Sequence, residues 1–220
     1  MRSCTLVIMD AGPLIKLALA DQLDLLLCFD LRVYIPDEVY FEAAEKYAWE
    51  HESPPTADKL RLKAWVKAQA RAGKVACPPT LVGETAARKR AQGVYQPGQK
   101  NHRKNTGELA AHDFFNNRED WGHPGEPALL LMDDGPGIEK VTLQNLDVFI
   151  LSTYALLVAL EEDGQIVSAD AVWANIERAL NTVEKLKVSK SVRGTSARPA
   201  VQRASKVTTK VTSKATNKRA

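Results

Sequence analysis

Cysteine is scarce in this 220-residue chain: Cys4, Cys28 and Cys77 are odd in number, widely scattered and form no CxxC pair from which zinc or redox chemistry could be built. Such thiols suit a reducing cytosol. Histidine is almost as sparse, and His51, His102, His112 and His123 show no HExxH spacing, so a histidine-based metal centre finds no support. Long apolar runs are missing too. The longest, such as "DVFILSTYALLVAL", fall short of the roughly 18 uninterrupted apolar residues a membrane span needs. The opening "MRSCTLVIMDAG" is too short in its apolar part for a secretory leader. A cytoplasmic protein with no membrane partner is expected.

A hydrophobic content of 45% is sufficient for one sizeable core at this length. Charge is unevenly distributed. Residues 185–220 hold 11 Lys/Arg and no Asp/Glu, leaving 19 basic against 27 acidic side chains in residues 1–184, a balance of −8. From Lys187 onward the chain loses its aromatic and large apolar residues and becomes a Lys/Ser/Thr/Ala mixture, which cannot bury enough surface to offset its ordering entropy. The expectation is therefore a domain over residues 1–186 and a disordered basic tail over 187–220.

Within the domain, apolar strand-like and helix-like segments alternate. "TLVIM" reads as a buried strand, "GPLIKLALADQLDLLL" as one helix, "LRVYI" as a second strand, and "DEVYFEAAEKYAWEH", opened by Pro36, as a second helix. Thr56 is placed to cap "ADKLRLKAWVKAQARAG", which Gly73 ends. "KVAC" reads as a short strand, "TLVGETAARKRA" as a helix, and "QGVYQPGQKNHRKN" as a loop. "TGELAAHDFFNN" restarts a helix whose Phe114 and Phe115 belong to the core. "PALLLM" and "DVFIL" are bounded strands, "DDGPG" is a turn, and Ser152 and Ser168 cap the last two helices. The alternation predicts an α/β fold with a mostly parallel central sheet covered on both faces.

In such sheets ligands bind outside the carboxyl ends of the strands. Asp10 directly follows "TLVIM", and Asp133 and Asp134 directly follow "PALLLM". Glu42, one turn into the second helix, and Glu108, in the first turn of "TGELAA", can join them. Carboxylates gathered in one place resist joint ionisation unless a cation neutralises them. A hard divalent ion such as Mg²⁺ or Mn²⁺ suits all-oxygen ligands and works with phosphate substrates, which points to phosphodiester hydrolysis. Taken singly, each acid also has an ordinary explanation: a turn residue for Asp10, a helix-terminal acid for Glu108, a solvated face for Glu42. His112, on the same helical face as Glu108, is read as a packed or surface residue.

"VIMDAGPLIKLA", "VYIPDEVYFEA", "GELAAHDFF" and "ALLLMDDGPGIEKV" together resemble the ordered acidic motifs of PIN-domain nucleases, especially VapC-like toxins, over about residues 5–180. The resemblance implies a three-layer PIN-like domain. It matches Asp10 to the first strand-end aspartate, Glu42 to the "xxEx" glutamate, Glu108 to the acid of the "GE" motif and Asp134 to the last strand-end aspartate, with Asp133 as a neighbouring metal ligand. It further implies a Mg²⁺- or Mn²⁺-dependent endoribonuclease, the toxin of a toxin–antitoxin pair, dimeric and silenced by an antitoxin protein. Relatives of the double-aspartate type often carry basic residues after the pair, whereas "DDGPGIEK" delays them, which leaves the phosphate contact unassigned. The stretch 43–105 is longer than a compact PIN domain needs and is expected as an insertion. A PIN-fold module without catalysis, binding RNA or protein, is the alternative; a phosphotransfer receiver domain fits poorly because its acidic pair belongs on the first strand. The cations of the tail suit non-specific nucleic-acid phosphate binding.

Overall fold

The computed structural model describes residues 4–50, 55–97, 106–117, 127–133 and 148–194. It divides into two units, Met1–Leu180 and Asn181–Ala220. Of the second unit, the described part is helix, and residues 195–220 of the expected tail lie outside the described residues.

The first unit is built on a five-stranded, wholly parallel sheet in the order β3-β2-β1-β4-β5: β1 Thr5–Ile8, β2 Arg32–Tyr34, β3 Val75–Ala76, β4 Ala128–Leu131 and β5 Val148–Leu151. β1 is central and its four residues are all buried, as a strand covered on both faces requires. Leu6 pairs in register with Val33 on one side and Leu129 on the other. The mixed α/β architecture agrees with the expectation from sequence.

The crossover after β1 is α1, Ala11–Leu19, which buries Leu14, Leu17 and Ala18. The apolar pattern suggests that this helix continues to Leu27, but the backbone breaks at Ala20–Gln22, where Asp21 takes a left-handed φ of 59°, and resumes as a 3₁₀ turn, Leu23–Leu27. Aspartate tolerates that conformation better than most residues. Arg61 donates to the Ala18 carbonyl at the end of α1, where the unpaired carbonyls favour a cation.

After β2, the helical stretch that the sequence presents as continuous is divided: α2 Asp37–Tyr40, a π turn Phe41–Glu45, and α3 Lys46–Trp49. The segment expected as an insertion supplies structural parts of the unit. It contributes α4, Ala57–Arg71, with Leu62 and Val66 buried; β3, paired with β2 through Val33 and Tyr34; and α5, Leu81–Ala91. Thr80 caps α5 through its hydroxyl, and the Asp37 carboxylate holds the Thr80 amide at 3.1 Å and its hydroxyl at 2.8 Å. α6, Thr106–Asn116, buries Phe114 and Phe115, and Phe114 packs on Tyr34 with centroids 5.1 Å apart.

Beyond β5, α7 runs Thr153–Glu162, capped by Ser152 and ended by Gly164 at φ 73°. α8 runs Ala169–Gly194, with Ser168 bonding the Ala171 amide. It takes in residues 187–194, the first eight of the stretch expected as the tail. Among the described residues no helix is long and apolar enough to cross a membrane.

Candidate functional site

The strand order fixes where the chain reverses. From β1 the chain moves outward through β2 to β3, then returns to the other side of β1 with β4, so the crevice beyond the carboxyl ends of β1 and β4 is the topological switch point. The last ladder bonds there are Met9 N–H to the Leu131 carbonyl and Met132 N–H to the Leu151 carbonyl, each 2.9 Å. Asp10 and Asp133 are the next residues on their strands.

Asp10 occupies the N-cap position of α1 in an extended conformation, yet its carboxylate makes no capping hydrogen bond. Two residues on, Gly12 has no room for a side chain: a Cβ there would lie 2.7 Å from Asp10 Oδ2 and 3.9 Å from the Asp133 Cβ. That single glycine therefore marks where two of the predicted acids come together.

Asp133 is heavily engaged. Its Oδ1 accepts from the Thr153 amide at 2.7 Å, and its Oδ2 accepts from the Thr153 hydroxyl and the Lys16 ammonium, both at 2.7 Å. It ties the end of β4 to the start of α7 and to α1. Asp134, the other member of the pair, lies outside the described residues.

The Glu42 carboxylate lies against another glycine. Glu42 sits in the π turn, a local unwinding often found where a helix must re-aim a functional side chain. Its carboxylate accepts from the Thr106 hydroxyl at 3.1 Å and the Gly107 amide at 3.2 Å, at the start of α6. A Cβ on Gly107 would stand 2.7 Å from Glu42 Oε2. Glu108 is the next residue, half-buried in the first turn of the same helix. Burial pushes the Glu42 carboxyl above its ordinary value, and the bonds from Thr106 and Gly107 oppose that rise without cancelling it.

Asp10 and Asp133 thus come together at Gly12, while the Glu42 carboxylate lies against Gly107, the residue before Glu108. Among the described residues no three His, Cys, Asp or Glu side chains converge as a ready metal cluster. The donor set is nonetheless all-oxygen, and a buried carboxylate with a raised pKa is a group whose ionised form a cation would favour.

Residues 6–91 match a family model described as a PIN domain. Over that stretch the chain is similar to a PIN domain. The match runs through α4, β3 and α5, so the stretch expected as an insertion falls largely inside it. PIN domains are generally nucleases. No curated protein matches the chain.

Sequence reasoning did not single out Lys16, Thr106 or Thr153, although each bonds a predicted acid. Lys16 alone carried a signal, as the one charged residue of an otherwise apolar helix. His112 is half-buried and contacts Asn116 on its own helix at 3.0 Å.

Proposed function

We propose that this PIN domain is a metal-dependent endoribonuclease that hydrolyses RNA phosphodiesters, and that it acts as the toxin of a toxin–antitoxin pair. The observation that carries the reading is the grouping of Asp10 with Asp133 around Gly12, at the switch point of a parallel sheet. A strand-end acid beside a glycine that leaves its carboxylate room suits a ligand position.

In this reading Asp10, Glu42, Glu108 and Asp134 hold Mg²⁺ or Mn²⁺, with Asp133 beside them. When bound, such an ion neutralises the carboxylates and supplies Lewis acidity for attack of water on phosphorus. The chain's own residues do the rest. Thr106 and the Gly107 amide hold the Glu42 carboxylate in one orientation, Gly12 keeps the approach to Asp10 open, and Thr153 fixes Asp133 against α7. RNA is the proposed substrate, an antitoxin protein and a second copy of the chain the proposed partners. The basic tail from residue 187 is proposed to add sequence-independent phosphate contacts to a body of net negative charge.

One observation favours a second reading, a PIN-fold RNA-binding or protein-interaction module without catalysis: three hydrogen bonds already occupy Asp133, which reduces what it can offer a metal. Incubating the purified protein with mixed RNA in Mn²⁺, in Mg²⁺ and in EDTA, beside Asp10→Ala, separates the two. The nuclease reading expects metal-dependent cleavage that the variant loses. No cleavage, together with no metal binding by calorimetry, would leave the binding module.

A further inference from the structure

The acid edge of this domain has a cation built into it. Lys16 is the one charged residue on α1, and its ammonium lies 2.7 Å from Asp133 Oδ2. On its other side the ammonium stands 5.6 Å from the centre of the Trp173 ring, within cation–π range. That ring is itself fixed. Trp173 Nε1 donates to Glu177 at 3.0 Å, and the Tyr154 ring meets Trp173 edge-on with centroids 5.6 Å apart. Tyr154 in turn donates its hydroxyl to Asp170 at 2.7 Å. A flexible four-carbon side chain is thereby held between an anion and an anchored aromatic face, beside the switch point.

Holding a lysine in this way restrains it without using it up. The ammonium has three donors, and the bond to Asp133 takes one. The Lys16 side chain keeps 26% of its surface exposed while Asp133 keeps 12%, so solvent reaches the lysine more readily than its partner. A preset cation is what an RNA strand needs on arriving at an edge lined with carboxylates, since phosphate and carboxylate repel.

We propose that Lys16 is the phosphate-contacting residue of this site. Its remaining donors take a non-bridging oxygen of an RNA strand crossing the β1/β4 switch point, and Asp133 is its positioning residue. The ribonuclease reading supplies the identity of the ligand, but the contact itself is testable without cleavage.

The test is equilibrium binding of a labelled single-stranded oligoribonucleotide to the full chain in EDTA, across a series of salt concentrations. Losing one phosphate contact on a single strand makes the slope of log K against log[salt] shallower by about 0.7. Lys16→Met should show that change and weaker binding at every salt concentration, whereas Lys16→Arg should stay near the wild-type slope. Lys67→Met, which removes the same charge from the exposed face of α4, should leave the slope unmoved. Should Lys16→Met fail to fold, Lys16→Gln carries the same reading. A wild-type slope in the folded Lys16 variant, an equal change in Lys67→Met, or no RNA binding by the wild type overturns the proposal. If the slope changes as expected but the wild type never cleaves RNA in Mn²⁺ or Mg²⁺, only the ribonuclease reading fails. Cleavage by the wild type with an unchanged slope in the variant removes Lys16 alone.

Discussion

The Glu42 carboxylate accepts a hydrogen bond from the Gly107 amide at 3.2 Å, joining the π turn after β2 to the start of α6 across 65 positions of sequence. The closeness depends on Gly107 having no side chain, because a Cβ there would meet Glu42 Oε2 at 2.7 Å and its Cδ at 3.1 Å. Gly107→Ala should therefore push Glu42 out of place. The expected result is a fall in RNA cleavage of about 100-fold, the usual scale for a misplacement of about 1 Å. The helix itself should hold or gain stability, since alanine is the better helix former. Cleavage assays beside a thermal melt would detect the split, and unchanged cleavage would count against Glu42 as part of the site.

Glu42 also gives the protein a pH dependence whose sign is fixed. Burial raises its carboxyl in the folded state above the ordinary 4.5, so the folded chain holds that proton more tightly than the unfolded chain does. As pH rises from the ordinary value through the raised one, the unfolded state releases the proton first and stability falls. Glu42→Gln removes the effect. The variant should match the wild type at acid pH and exceed it in Tm at neutral pH in EDTA, with the gap opening across that window. Adding Mn²⁺ should narrow or reverse the gap, because a ligand of the folded state stabilises by about 2.7 kcal/mol at 100 times its Kd. Melting curves at several pH values, with and without metal, test both parts.

For Asp10 the expectation is loss of function without loss of fold. Asp10→Ala removes no capping bond from α1, and the variant should still unfold as one cooperative unit. RNA cleavage in Mn²⁺ should nevertheless fall by at least about 100-fold, the scale on which losing one stabilising group in an active site is felt. Urea denaturation and a cleavage assay on the same preparation would decide. A variant that is badly destabilised, or fully active, contradicts the assignment.

Glu38 and Arg90 make the converse case, a charged pair whose work is structural. Glu38 is 2% exposed, and Arg90 holds it with two hydrogen bonds, one of 2.8 Å, while lying 3.7 Å over the Phe41 ring. Glu38→Ala would leave the guanidinium buried without its partner and should cost about 3–5 kcal/mol. Replacing both residues with methionine should recover most of that loss, as an apolar pair of similar volume commonly does. A double-mutant cycle by chemical denaturation measures the coupling.

Much of this architecture was legible from sequence because it rests on local rules. Ser152, Ser168, Gly73 and Gly164 mark helix ends with the chemistry each end requires, and "TLVIM" and "PALLLM" announce strands buried on both faces. What could not be read depends on contacts between distant residues. Periodicity carries a helix on to Leu27, but Asp21 breaks it, and nothing in the pattern of "DEVYFEAAEKYAW" marks the π turn that re-aims Glu42. At the site, Asp10, Glu42, Glu108 and Asp133 were chosen for carboxylates next to strand ends and helix starts. Lys16 and Thr106 escaped because a lone lysine and a lone threonine gain meaning only once the acids they bond are in place. The placement of Asp134 lies outside the described residues.

The position of β1 has a consequence for how the protein comes into being. It precedes the other four described strands in the chain and is the central one in the sheet, yet one of its two edges pairs with β4, and the Lys16–Asp133 contact spans 117 positions. Loop closure over that separation is slow compared with forming the nearby helices. A growing chain thus presents β1, α1 and β2 long before residues 128–133 exist to close the other side. The order of the strands works as a delay, keeping the acid edge at β1 and β4 incomplete until residues 128–133 have been translated.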